Sequence, residues 1–231
     1  TGQKCTAVRR ILVPENKIDK VQKALITKLE RTVIGNPENK DVKMGALASK
    51  IQVERVKKNV ELLMESQYKV FDNSQKLNLV DASFEKGAFF SPVLFRNDEP
   101  FLKDAVHNIE AFGPVSTLIP YKNMEESVEL VKMGKGSLVT SFVSNDDKKS
   151  KEFVVETAHT NGRILVLNSR CSKESTGHGS PMPQLAHGGP GRAGGGEEMG
   201  GIRGIKHYLQ RTAIQGHPET ITKITEQFQI G

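Results

Sequence analysis

Val115-Ser116-Thr117-Leu118-Ile119-Pro120, Leu138-Val139-Thr140-Ser141-Phe142-Val143 and Gly162-Arg163-Ile164-Leu165-Val166-Leu167 are three short runs rich in apolar and β-branched residues. Two longer stretches with helical character, Glu125 to Met133 and Asp146 to His159, separate them. Strands that alternate with helices point to a parallel sheet, because parallel neighbours need a crossover and a helix supplies it. The expected fold is α/β: an open, mostly parallel sheet with helices on both faces.

Upstream of this block, Arg10 to Pro14 reads as a short buried strand. Asn16 then reads as the cap of a helix carrying Ile18, Val21, Leu25, Leu29 and Val33, closed by Gly35-Asn36-Pro37. Ser49 opens a second helix, with Ile51, Val53, Val56, Val60 and Leu63 on or near one stripe and lysines opposite. Tyr68 to Phe71 and Leu77 to Val80 suggest a small hairpin, and Phe89 to Phe95 a further strand stopped by Asn97-Asp98-Glu99-Pro100. Downstream, ten glycines between 177 and 201 give that segment the freedom of a loop. Ile205 to Ile214, with β-branched and aromatic residues, is expected to be a strand suited to pairing with another subunit's sheet edge. A linker is expected from Pro218 onward.

The 231 residues, 36% hydrophobic and 26% charged, suit one main domain of ordinary soluble composition. Every apolar run falls far short of the roughly 20 residues that cross a bilayer. Two cysteines, Cys5 and Cys171, make no disulfide framework and fit a reducing compartment, so a cytoplasmic location is expected. The net charge of +6 is spread over amphipathic segments rather than clustered with aromatics, which argues against a nucleic-acid partner. It would favour an anionic small substrate. No His, Cys, Asp and Glu spacing suggests a metal site.

Three stretches carry chemistry. In Gly2-Gln3-Lys4-Cys5-Thr6 a thiol lies near Lys4, Arg9 and Arg10, whose charge would favour the thiolate if they point inward. Glu110-Ala111-Phe112-Gly113-Pro114-Val115 sets a carboxylate and an aromatic ring two apart where a loop meets a strand, the place where α/β sheets hold ligands. His187-Gly188-Gly189-Pro190-Gly191-Arg192-Ala193-Gly194-Gly195-Gly196-Glu197-Glu198 is glycine-rich but lacks the Gly-Lys-Ser/Thr ending of a phosphate loop.

Together these stretches resemble the catalytic half of aldehyde dehydrogenases, over a span from Gly2 to about Gln215. The resemblance implies that Cys5 is the nucleophile, with its own backbone N–H helping to hold the oxyanion. It implies that Glu110 bonds the ribose next to the nicotinamide of NAD or NADP and that Phe112 packs on the ring. His187 stands where the family commonly has a phenylalanine in the substrate-tunnel wall, and Glu198 matches a glutamate near the route of the active-site water. Ala193 and Glu197 depart from the family's serine and arginine, which puts that water relay in doubt. The general-base glutamate and most of the cofactor domain would lie upstream of residue 1, so the chain reads as a fragment that would not turn over alone. The stretch from Gly179 to Glu198 resembles most the bifunctional branch of phenylacetate degradation (PaaZ type), in which a hotdog-fold enoyl-CoA hydratase follows the dehydrogenase and the aldehyde is linked to CoA. On this reading residues 1–193 form the thiol domain, 194–216 a return segment and strand for homo-oligomerisation, and 217–231 a linker toward the hydratase. The rival readings are a CoA-acylating dehydrogenase and a non-catalytic interaction module.

Overall fold

The computed structural model describes residues 1–182, 184–198, 201–209 and 212–228. In chain order the elements are β1 (Arg10–Pro14), α1 (Ile18–Glu30), β2 (Ile34–Gly35), α2 (Lys50–Met64), β3 (Tyr68–Asp72), β4 (Leu79–Val80), β5 (Val93–Arg96) and α3 (Ala105–Asn108). There follow β6 (Val115–Tyr121), α4 (Met124–Lys132), β7 (Ser137–Val143), α5 (Asp147–Thr157), β8 (Asn161–Leu167), β9 (His187–Gly188), β10 (Glu197–Glu198), α6 (Gly201–Tyr208) and α7 (Pro218–Thr225). The chain divides into two compact units, Thr1–Pro181 with His187–Glu197, and Met182–Ala186 with Glu198–Gly231.

The larger unit holds a four-stranded sheet in the order β1-β6-β5-β3. β6 pairs in parallel with both β1 and β5, and β3 adds an antiparallel edge. Side-chain alternation on β5 divides the core between the two faces. Phe95, fully buried, and Val93 face α2, where Val53, Val56, Val60 and Leu63 meet them. Leu94 and Leu118 point the other way, toward Ile18, Val21, Leu25 and Leu29 of α1. Burying a side chain such as Phe95 contributes about 2 to 3 kcal/mol, so this two-sided packing sets the sheet between its helices. β7 and β8 form a second parallel pair, covered by α4 and α5 through Val128, Val131, Phe142, Phe153 and Ile164. The free edges of β1 and β7 line a shared cleft.

Ser49 caps α2, its side chain accepting from the Gln52 amide, and Asp146 caps α5 in the same manner. The first helix starts differently from expectation. A 3-10 turn, Glu15–Lys17, precedes it, Lys17 stands at the cap position without a side-chain bond, and Asn16 lies inside the turn. The helix also stops earlier, at Glu30, because Ile34–Gly35 pairs in parallel with Leu79–Val80. That pairing removes the expected hairpin. Tyr68–Asp72 instead pairs antiparallel with Val93–Arg96, and Leu79–Val80 belongs to the other ribbon. Ile51, placed on the apolar stripe of α2, is 66% exposed. It lies on the opposite side of the helix from Val53 and Val60.

In the smaller unit, the strand expected over Ile205 to Ile214 is absent among the described residues. Gly201–Tyr208 is an α-helix, and 212–216 are irregular. Ile202, Ile205 and Leu209 recur three and four residues apart, a spacing compatible with one face of a helix, and all three are exposed. The stretch expected as linker carries α7, which begins with Pro218 in the first turn and His217 accepting from the Glu219 amide. No helix of the described residues is long and apolar enough to cross a membrane.

Candidate active site

Cys5 occupies the tip of a tight turn closed by the Ala7 amide donating to the Lys4 carbonyl (2.9 Å), immediately before β1. The turn exposes the thiol. Glycines bring this turn against the loop that enters β6. A Cβ on Gly2, which has φ +74°, would lie 2.1 Å from the Gly113 carbonyl oxygen, and one on Gly113 would lie 2.8 Å from a Val56 methyl. Only residues without side chains permit that approach.

Phe112, 42% exposed, holds φ at +50°, a left-handed conformation uncommon for a bulky residue. Strain of this kind costs on the order of 1–3 kcal/mol and gathers at functional sites. The turn carries the ring out of the core. Glu110 beside it is exposed, and its backbone carbonyl accepts from Asn59 Nδ2 at 3.1 Å. Cys5, Glu110 and Phe112 line one cleft of about 680 Å³ together with Arg9, Ser141 and His178. On its other side the Glu110–Phe112 loop borders a shallower groove formed with Gln3 and with Gln52, Arg55 and Asn59 of α2. An exposed carboxylate and an outturned aromatic ring, a thiol in the same cleft, and amide and guanidinium groups next door fit the nicotinamide end of a dinucleotide. Among the described residues no group of His, Cys, Asp and Glu side chains is arranged to hold a metal ion.

The cations near the thiol in sequence are committed to carbonyls. Arg9 donates to Ile109 O at 3.1 Å, and Arg10 to Leu130 O and Val131 O at the end of α4. Arg192 donates to His107 O and Asn108 O, and Lys4 to Gly179 O. Burial, with Arg9 and Arg192 nearby, lowers the Arg10 pKa to about 10.

The pattern of the aldehyde dehydrogenase family matches residues 1–214. The chain belongs to that family. A Klebsiella aerogenes relative named protein MaoC is 46% identical over 188 residues, covering 81% of this chain and 55% of the relative. The 3,4-dehydroadipyl-CoA semialdehyde dehydrogenase of Aromatoleum evansii is 37% identical over 190 residues, covering 82% of this chain and 37% of that protein. The chain thus spans about half or less of these curated relatives. Betaine aldehyde dehydrogenase of Staphylococcus aureus, in a crystal structure with NAD+, superposes with a TM-score of 0.74 at 24% identity, covering 90% of this chain and 39% of that one. This likeness supports the fold alone.

Within this aldehyde dehydrogenase frame, Cys5, Glu110 and Phe112 share the cleft. Asn168 follows the last residue of β8, where its carbonyl accepts from the Cys171 and Ser172 amides. His187 begins β9 and is half-buried, outside the set of residues lining the cleft. Glu198 belongs to the smaller unit, and its side chain lies outside the described residues. The imidazole that does line the cleft is His178, which the sequence reading passed over, as it did Gln52, Arg55 and Asn59. For the three α2 residues a signal existed. They repeat at helical spacing along the flank of the buried face beside Val56, and that polar stripe could have been matched to the Glu110 loop.

Proposed function

We propose that this chain is the thiol-bearing part of an NAD(P)-dependent aldehyde dehydrogenase that oxidises a CoA-linked semialdehyde to the acid. The observation that carries the reading is the shared cleft, with the exposed Cys5 turn against the strained Glu110–Phe112 loop. The named semialdehyde dehydrogenase at 37% identity supports the choice of substrate class. The PaaZ-type sequence resemblance points the same way, toward a bifunctional protein of aromatic catabolism.

In this mechanism the Cys5 thiolate adds to the aldehyde carbonyl, and the developing oxyanion takes a hydrogen bond from the Cys5 backbone N–H. When bound, a nicotinamide would supply the acceptor for the hydride that leaves the thiohemiacetal carbon as the thioester forms. Glu110 would hold the adjacent ribose hydroxyls, and Phe112 would pack on the ring. Water then releases the acid, activated by a residue outside 1–231, so the chain alone is expected not to turn over. Two cysteines in 231 residues make no disulfide framework, and a reducing, cytoplasmic setting is the reading that suits them.

In the full-length protein, Cys5→Ala should abolish NAD(P)H formation from aldehyde. Retained formation would refute the nucleophile assignment. Product analysis with free CoA present separates the chemistries, since acyl-CoA in place of acid would move the reading to the acylating type.

A further inference from the structure

We propose that the body of the cleft between β1 and β7 is a slot for one further β-strand, filled by a segment of the same polypeptide amino-terminal to Thr1. Every residue from Ala7 to Pro14 and from Gly136 to Val143 lines the cleft. A strand seen face-on exposes every second residue, so an unbroken run marks an edge. Neither strand has a neighbour on that side among the described residues, since β1 pairs with β6 and β7 with β8. Thr117 N donates to Arg9 O, and Ser144 N to Leu167 O, both at 2.9 Å, which fixes the phase of each ladder. Backbone groups alternate from side to side along a strand. Arg9, Ile11 and Val13 therefore turn theirs to β6, while Arg10 and Leu12 present N–H and C=O to the cleft. On β7, Thr140 and Phe142 face β8, and Val139, Ser141 and Val143 face the cleft. Two rows of donors and acceptors oppose each other with the two-residue repeat of a ladder, and one extended backbone pairs with both.

The surroundings are those of a sheet interior. Val128 and Val131 of α4 and Phe153 of α5 pack on Leu12 of β1 as well as on Phe142 and Ile164 of the β7–β8 pair, so one helix layer roofs both sheets. Arg10 fastens β1 to the end of α4 through Leu130 O and Val131 O. A strand as long as its flanks has five to seven residues, about 17–23 Å. It runs parallel to both, because α4 returns the chain from β6 to β7 in the same direction. Its place in the chain follows from the strand order. β1, with β6 beyond it, lies on one side of the slot, and the α4 crossover carries the chain back past both β1 and the slot to β7 and β8 on the other. In a doubly wound sheet the first strand lies at the centre, the next ones build outward on one side, and a crossover past the first begins the other half. The slot is the place of that first strand, so its occupant precedes β1. Both curated relatives extend beyond the span matched to this chain. Cys5, Glu110 and Phe112 precede the amino ends of β1 and β6 and stay outside the slot.

The slot follows from sheet topology and does not depend on the role given to Cys5. In the full-length protein, residue-resolved amide hydrogen exchange compares Leu12, Val139, Ser141 and Val143, which face the slot, with Ile11, Val13, Thr140 and Phe142, which face β6 and β8. A filled slot should slow both sets about a thousandfold or more below free-peptide rates. Slot-facing amides that exchange more than about a hundredfold faster than their neighbours would mark an open edge and overturn the proposal. The occupant is read by placing p-benzoylphenylalanine at Val143, which is 74% exposed at the end of β7, and mapping the photo-cross-linked peptide by mass spectrometry. The expected partner is a peptide amino-terminal to Thr1 in the same molecule. A peptide carboxy-terminal to Gly231, or an intermolecular product in isotope-mixed protein, would overturn the assignment of the occupant and the strand order drawn from it.

Discussion

His107 gives the sharpest test of the packing beneath the site, because its environment dictates its protonation state. The side chain is 1% exposed, with Nδ1 2.9 Å from an Arg10 guanidinium nitrogen and Nε2 3.0 Å from the Pro100 carbonyl oxygen. A guanidinium only donates and a carbonyl only accepts, so Nδ1 must be bare and Nε2 must carry the hydrogen. The folded ring is neutral. Burial, reinforced by the Arg10 charge, lowers its pKa from 6.5 to about 4. The unfolded chain therefore binds a proton before the folded one as pH falls, and stability drops as pH falls from 6.5 toward 4. At about 1.4 kcal/mol per pKa unit the loss totals about 3 kcal/mol. His178, also lowered by burial and by Arg163, acts in the same direction, so wild type alone cannot isolate His107. His107→Gln can, since its amide can accept from Arg10 and donate to Pro100 without titrating. Urea unfolding of both proteins at several pH values between 7 and 4 should show the variant gaining about 3 kcal/mol on wild type across that range. Parallel pH profiles would refute both the tautomer and the linkage.

Gly113→Ala should destabilise by about 1–3 kcal/mol, because its methyl would press on the fully buried Val56. Val56→Ala in the same chain should recover part of that loss by making room, as read by thermal or urea denaturation. Ser49→Ala should cost about 1 kcal/mol in urea unfolding, since it removes the side-chain acceptor for the Gln52 amide. Phe112→Gly should raise stability or leave it unchanged, because it relieves the positive φ of an exposed residue, while it raises KM for the nicotinamide cofactor in the full-length enzyme.

The alternation after Val115 was legible because helix and strand periods differ and each element there is long enough to show its own. The Ser49 start of α2 was legible for a local reason, since its side chain meets the amide of Gln52 three residues on, whereas Asn16 was displaced from the cap position by the turn Glu15–Lys17. Partners of short strands were not. Leu79–Val80 has only two residues, so its side-chain pattern cannot say that it meets Ile34–Gly35 rather than Phe71. In α6 the isoleucines drew the reading toward strand, although the gap of three between Ile202 and Ile205 also fits one face of a helix. At the site, two motifs singled out Cys5, Glu110 and Phe112 as candidates, and the structure brings these three into one cleft. The positive φ of Phe112 and the placement of His178 depend on contacts across long sequence distances, which no local pattern encodes.

The positive charge around the thiol shows the same division between composition and placement. Lys4, Arg9 and Arg10 suggest electrostatic activation of Cys5 when read along the chain, yet each donates to a backbone carbonyl. Arg10 and Arg192 meet the carbonyls that end α4 and α3, where the intrahelical acceptors run out and positive charge is favourable. Arg9 holds Ile109, the residue before Glu110, and Asn59 holds Glu110 itself. These arginines therefore build the ledge on which the carboxylate and the Phe112 ring are presented. Their charge shapes the Glu110 side of the cleft, and of the three cations only Lys4 lies in the Cys5 turn, reaching away from the thiol to the Gly179 carbonyl.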